Sequence, residues 1–292
     1  MNQKLTLGTV QFGLNYGISN KNGKVSIEEA ESILDDASSN GITELDTAVA
    51  YGESEIVIGQ LAKGRFSIST KLPKLDQDHG RNIRDWVKQQ IESSLERLKI
   101  NQINTLFLHD SSVLQEPYVL DLYEVIMDFK SKNLIKNFGL SIYSYHELER
   151  IPTEIEYQRI QCPVNVFDQS LIKSGWMSIL AEKGVEIQAR SIFLQGLLLM
   201  SKNNRPTYFS RWTEHLKKWD EWLESNQVSP VLACIQFIKS IENVTNVVFG
   251  VETLEHLKEI ISLFQTNSKI LFPSDLASND EELIFPFRWQ TK

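Results

Sequence analysis

Four residues with chemistry to offer sit at or just beyond the ends of short apolar runs. Asp46 follows Ile42-Thr43-Glu44-Leu45, Lys71 follows Phe66-Ser67-Ile68-Ser69-Thr70, His109 follows Leu106-Phe107-Leu108, and Tyr51 stands in the loop just after Asp46. Taken singly, each has an ordinary explanation. Asp46 can bond its own backbone in a turn, Lys71 can snorkel from a strand end, Tyr51 can pack in a loop, and His109 can be a hydrogen-bonded structural histidine. Taken together they suit proton transfer. A phenol has an ordinary pKa of about 10, and a neighbouring ammonium favours phenolate. The set therefore predicts that Lys71 lowers the Tyr51 pKa while Asp46 pairs with Lys71 and holds it. Tyr51 then gives a proton to a substrate oxygen, or takes one in reverse, and His109 donates a hydrogen bond that orients a carbonyl. No nucleophile–base pair and no metal-ligand set accompanies them, so a reagent must come from elsewhere. Hydride from a nicotinamide fits that gap.

The elements that must position these residues alternate along the chain. Strand-like runs are predicted at 4–13, 42–48, 66–71, 104–109, 135–141, 159–165, 185–190 and 244–250, with helical runs between them. Ser26 and Glu29 have capping-box spacing ahead of a helix that Asn40-Gly41 stops. In the run 83–98, Trp86, Val87, Ile91, Leu95 and Leu98 keep one face apolar. Eight strands in strict alternation with helices imply a parallel sheet with right-handed crossovers, and this length suits a single closed (β/α)₈ TIM barrel over 1–292. A longer insertion at about 194–226 and a tail at about 265–292 depart from the rhythm. A doubly wound open sheet is the alternative; it would want a Gly-rich turn after the first strand, which Gly13-Leu14-Asn15-Tyr16-Gly17 does not match. In a parallel barrel, residues at C-terminal strand ends share one rim, so Asp46, Tyr51, Lys71 and His109 are placed together.

Bulk composition excludes several classes. The 292 residues are 41% hydrophobic and 23% charged, ordinary for a globular chain. A net charge of −8 argues against a nucleic-acid footprint. The first thirteen residues lack the apolar core of a signal peptide, and the longest oily run, near Ile192 to Met200, is too short to span a bilayer. Two cysteines, Cys162 and Cys234, without metal-ligand spacing fit a reducing compartment. The expectation is a cytoplasmic protein with no membrane or nucleic-acid partner.

Asp46-Thr47-Ala48-Val49-Ala50-Tyr51-Gly52, with Lys71 and then Leu108-His109, resembles the catalytic tetrad of the aldo/keto reductases. Leu7-Gly8-Thr9 with Gly13, Gly139-Leu140-Ser141, Gln161 to Asn165, Ser191 to Leu197 and Phe249-Gly250-Val251 extend the resemblance from about Leu5 to Phe264. It implies NADP(H)- or NAD(H)-dependent interconversion of a small aldehyde or ketone and its alcohol, with the cofactor extended over the C-terminal rim. By position, Thr9, Asp46, Ser141 and Gln161 would meet the nicotinamide half. Ser191, Phe193, Gly196 and Leu197 would meet the diphosphate, and Gly250, Glu252 and His256 the adenosine end. Three departures stand out. Ser141-Ile142 replaces a usual Ser-Asn and removes one carboxamide hydrogen bond. Arg190 stands where an aromatic residue often stacks on the nicotinamide, although a guanidinium plane can also stack. NADPH-specific relatives carry basic residues about where Gly250 and His256 stand, and Glu252 and Glu255 would repel a 2′-phosphate, so the sequence leaves NADP against NAD open.

Aromatic residues in the insertion (Tyr208, Phe209, Trp212, Trp219, Trp222) read as an amphipathic helix packed on the barrel or as a substrate wall, and the tail Phe285-Pro286-Phe287-Arg288-Trp289 can fold over the mouth. Aromatic walls suit sugars as well as aryl aldehydes, so a sugar-derived carbonyl is one candidate substrate. Two rival readings remain: a nicotinamide-binding regulatory protein with little turnover, and a Schiff-base lyase using Lys71.

Overall fold

The computed structural model describes residues 3–75 and 82–290. Eight parallel strands close into a barrel in chain order: β1 (Lys4–Gly8), β2 (Glu44–Asp46), β3 (Ser67–Leu72), β4 (Ile103–Leu108), β5 (Ile135–Ser141), β6 (Arg159–Pro163), β7 (Glu186–Arg190) and β8 (Asn246–Gly250), with β8 pairing back onto β1. Parallel pairing needs a crossover after every strand. The crossovers are α1 (Ile27–Ser39), α2 (Ser54–Leu61), α3 (Ile83–Leu98), α4 (Val119–Ser131), a 3₁₀ segment at Tyr145–Arg150, α5 (Trp176–Glu182), and α6 (Thr213–Asn226) with α7 (Pro230–Lys239); α8 (Leu254–Gln265) follows β8. The apolar stripes face the sheet: Trp86, Val87, Ile91 and Leu98 on α3, and Leu257, Ile260 and Ile261 on α8, are buried. Each fully buried apolar side chain contributes about 1.5–3 kcal/mol relative to exposure, so these stripes fix the shell. No helix of the described residues is long and apolar enough to cross a membrane.

The boundaries differ from the expected ones where local chemistry intervenes. The first strand stops at Gly8 because the Thr9 hydroxyl donates to the Asp46 carbonyl at 3.0 Å and Val10–Gly13 turns into a short helix. The helical stretch between β6 and β7 is two pieces, Ser170–Lys173 and Trp176–Glu182, split at Gly175 with φ +79°. The capping box at Ser26 is half-formed. The Ser26 hydroxyl accepts from the Glu29 N–H at 3.2 Å, but the Glu29 carboxylate turns outward and accepts from the Leu254 N–H of α8 at 2.6 Å.

Inside the barrel, the alternation of each strand brings polar side chains inward. Glu44, Ser69, Arg159 and Gln188 occupy the lower layer, where Arg159 pairs with Glu44 and Ser69 donates to the same carboxylate at 3.1 Å. The inward partners two residues on, Asp46, Lys71, Gln161 and Arg190, stand nearer the C-terminal rim.

Candidate active site

Asp46 is the last residue of β2, and Lys71 lies one residue short of the end of β3. Their side chains meet at 2.6 Å, and the Lys71 ammonium also donates to the Thr47 carbonyl at 2.9 Å. Lys71 is 1% exposed and Asp46 3%. A pair so buried survives only with its remaining hydrogen-bonding capacity filled. Gln161 on β6 does this, donating to the other Asp46 oxygen at 2.7 Å and to Gln188 at 2.8 Å.

Tyr51 reaches the rim through a turn closed by two glycines. Gly52 has φ +57°, and a Cβ on Gly13 would stand 1.8 Å from the Tyr51 carbonyl oxygen, so the β1 loop lies against this turn only because neither residue has a side chain. The Tyr51 and His109 rings meet edge to face at 5.7 Å, and the Lys71 ammonium sits 5.0 Å from the centre of the Tyr51 ring.

This arrangement reverses one expectation. The Tyr51 phenol is pushed up, chiefly by burial and secondly by the charge of Asp46. Lys71 lies over the ring and spends its charge on Asp46, so it does not pull the phenol down. Burial pushes the Lys71 ammonium down, with Asp46 opposing. Tyr51 is thereby held as a protonated hydroxyl, the form that donates. His109 is pushed down to about 3, by burial first and then by Lys71 and Arg190, so at neutral pH its imidazole is uncharged, with one N–H to donate. As the pH falls, the unfolded chain takes up this proton near 6.5 and the folded protein near 3. The contribution of His109 to stability is therefore present above about pH 6.5 and is lost progressively as the pH falls toward about 3. Denaturant unfolding is expected to show less acid sensitivity in His109→Gln than in the parent between about pH 6.5 and 4; parallel curves would contradict the buried neutral imidazole.

A cavity of about 540 Å³ opens from Tyr51 and His109 along the C-terminal ends of β5 to β8 and β1. Its wall carries Thr9, Asp46, Ser141, Gln161, Arg190, Ser191, Phe193, Gly196, Gly250, Glu252 and His256, which brings together nearly every site residue expected from sequence. Lys71 lies beneath the wall. Leu197 is not on the wall: its side chain is fully buried in the apolar core, just after the positive-φ run of Leu194, Gln195 and Gly196. The Arg190 guanidinium lies 4.2 Å from the centre of the Tyr143 ring and donates to the Ile142 carbonyl at 3.1 Å.

Several wall residues carried no functional signal in the sequence: Gln11, Tyr16, Tyr143 and Glu259. Phe287 comes from the tail, 4.6 Å from Tyr143. The insertion's aromatics stand off the wall. Trp219 is fully buried and its indole donates to the Leu198 carbonyl at 3.0 Å, so α6 is a packed amphipathic helix.

Two buried acceptors on this wall, Gln161 Oε1 and Gln11 Oε1, have no partner among the described residues. Unpaired buried polar atoms are costly, and these two suit a ligand bearing amide or hydroxyl donors, as a nicotinamide dinucleotide does. Among the described residues no group of three or more His, Cys, Asp or Glu is placed to hold a metal ion.

The family model described as the Aldo/keto reductase family matches residues 4–271. The chain is 31% identical over 121 residues to the D-arabinose 1-dehydrogenase of Saccharomyces cerevisiae, a match covering 39% of this chain and 36% of that protein. It is 24% identical over 254 residues to a Bacillus subtilis oxidoreductase, covering 80% and 81%. An aldo-keto reductase from Bacillus halodurans shares the fold with a TM-score of 0.73 at 21% identity, over 91% of this chain and 88% of that one.

Proposed function

The chain belongs to the aldo/keto reductase family, and from that premise we propose that it interconverts a small aldehyde or ketone and its alcohol, with Tyr51 as proton donor. The observation that carries the reading is the shared wall of Tyr51 and His109 above the buried Asp46–Lys71 pair, in a cavity whose wall also carries Gly250, Glu252 and His256. When bound, the nicotinamide supplies the hydride. Thr9, Asp46, Ser141 and Gln161 would hold its carboxamide and ribose, with Arg190 beside the ring. Ser191, Phe193 and Gly196 would hold the diphosphate, and Gly250, Glu252 and His256 would flank the adenosine. The neutral His109 imidazole donates to the carbonyl oxygen and orients it. That oxygen then takes the Tyr51 proton, which solvent replaces.

A Schiff-base role for Lys71 is disfavoured, because its amine is held by Asp46 and Thr47, is 1% exposed and lies off the cavity wall. The faces of Tyr143 and Phe287 beside the Tyr16 hydroxyl suit a sugar or sugar-derived carbonyl, and the relative named D-arabinose 1-dehydrogenase supports that class. The test is consumption of reduced cofactor, followed by absorbance, against a panel of aldoses, aryl aldehydes and short ketones. Turnover with one class is expected. Cofactor binding without turnover on any carbonyl would favour the regulatory reading.

A further inference from the structure

The cavity does not end at the reacting groups. It continues past Gly250 to Glu252, His256 and Glu259, at the start of α8. Resting on the reading of this cavity as a nicotinamide-dinucleotide site, we infer that its far end rejects a 2′-phosphate, that the protein takes NAD(H) in preference to NADP(H), and that Glu29 and Glu252 are the discriminating carboxylates.

Three observations converge. First, the N-terminus of α8 is already occupied by an anion. A helix start offers unpaired N–H groups and a favourable dipole to a phosphate, but here the Leu254 N–H donates to the Glu29 carboxylate at 2.6 Å and the His256 N–H donates to the Thr253 hydroxyl at 3.2 Å. Glu29 reaches across from α1, and a phosphate would have to displace it and then sit beside it.

Second, among the described residues no lysine or arginine lines this end. Arg190 is the one lysine or arginine on the described wall, and it is committed to the Tyr143 ring and the Ile142 carbonyl at the reaction end. Gly250 carries no side chain, and the space where one would begin is filled. A Cβ there would stand 2.5 Å from Gln11 Oε1 and 2.7 Å from its Nε2.

Third, this end presents a buried acceptor without a partner. Gln11 is 8% exposed, and its Oε1 has no partner among the described residues. With the Glu252 and Glu259 carboxylates on the same wall, it calls for a ligand that donates. Ribose hydroxyls donate. A phosphate monoester carries about −1.5 to −2 charges at pH 7 and presents acceptor oxygens, so it meets acceptors and like charge.

The experiment is fluorescence titration of the full chain with NADH and with NADPH, without substrate. NADH is expected to bind at least about tenfold more tightly, a difference of about 1.4 kcal/mol. Glu29→Gln keeps an acceptor for the Leu254 N–H while removing the charge, so it is expected to tighten NADPH binding and leave NADH binding unchanged. A cap that merely holds the helix would move both together. Glu252→Gln, on the wall itself, is expected to narrow the ratio independently of the α1–α8 contact. Equal or tighter binding of NADPH by the parent overturns the inference while leaving the dinucleotide site intact. A parent preference for NADH that neither variant narrows removes Glu29 and Glu252 as its cause. Binding of neither cofactor overturns the underlying reading of the cavity.

Discussion

Replacing Tyr51 with phenylalanine is expected to lower kcat for carbonyl reduction about 10²- to 10⁴-fold, the range a positioned general acid contributes, with cofactor affinity unchanged. The substitution removes one oxygen and keeps the ring that meets His109 edge to face and carries the Lys71 ammonium over its centre. Packing and the buried ion pair should therefore survive, which isolates the proton. Burial and Asp46 hold the phenol in its protonated form, so the parent keeps its proton ready throughout the neutral range. Single-turnover hydride transfer and an equilibrium titration of the cofactor, run on the same preparation, check both halves. A Tyr51→Phe enzyme with the parent's turnover would remove Tyr51 as the acid. A variant that lost cofactor binding as well would show that the hydroxyl serves the site's structure.

Lys71→Met should produce the largest loss of stability at the site. It leaves the Asp46 carboxylate, 3% exposed, without the ammonium 2.6 Å away. Removing one partner of a buried ion pair typically costs about 3–5 kcal/mol, because the remaining charge stays buried without compensation. For a chain of this size that corresponds to a fall in Tm of roughly 5–8 °C. Gln161 still donates to one Asp46 oxygen, but an amide dipole cannot replace a full charge. Adding Asp46→Asn to Lys71→Met removes the stranded charge and should restore a substantial part of the loss, so a double-mutant cycle on thermal unfolding measures the pair itself. A single variant as stable as the parent would mean that the barrel tolerates the lone carboxylate, and the account of how Asp46 and Lys71 are held would be wrong.

Much of the fold was legible because its rules are local. Period-two strands alternating with 3.6-period helices have few closed parallel arrangements, and short crossovers force one hand. The same alternation put Asp46 at the end of β2 and His109 just past β4. Because strand residues two apart share a face, the rim could be read as one site before any contact was known. The cavity wall then carries nearly all of the cofactor positions that the resemblance implied.

Tertiary structure decided what depends on partners distant in sequence. The phenol moves upward because burial, and then the Asp46 charge, outweigh the opposing field of Arg190, while Lys71 is drawn to Asp46 and the Thr47 carbonyl. Spacing gives neighbours but not burial, and burial sets the sign. Leu197 turned into the core, and the tryptophans of α6 packed away from the cavity while Phe287 of the tail joined it, since each choice is a competition for apolar surface across the whole barrel. Glu29 read as half of a local capping box. Its carboxylate instead found the unpaired N–H of Leu254, 225 residues along the chain, because α1 and α8 pack together. The residue types and their order fixed which chemistry was available at the rim; the closed barrel, by setting who is buried beside whom, decided which groups keep their protons.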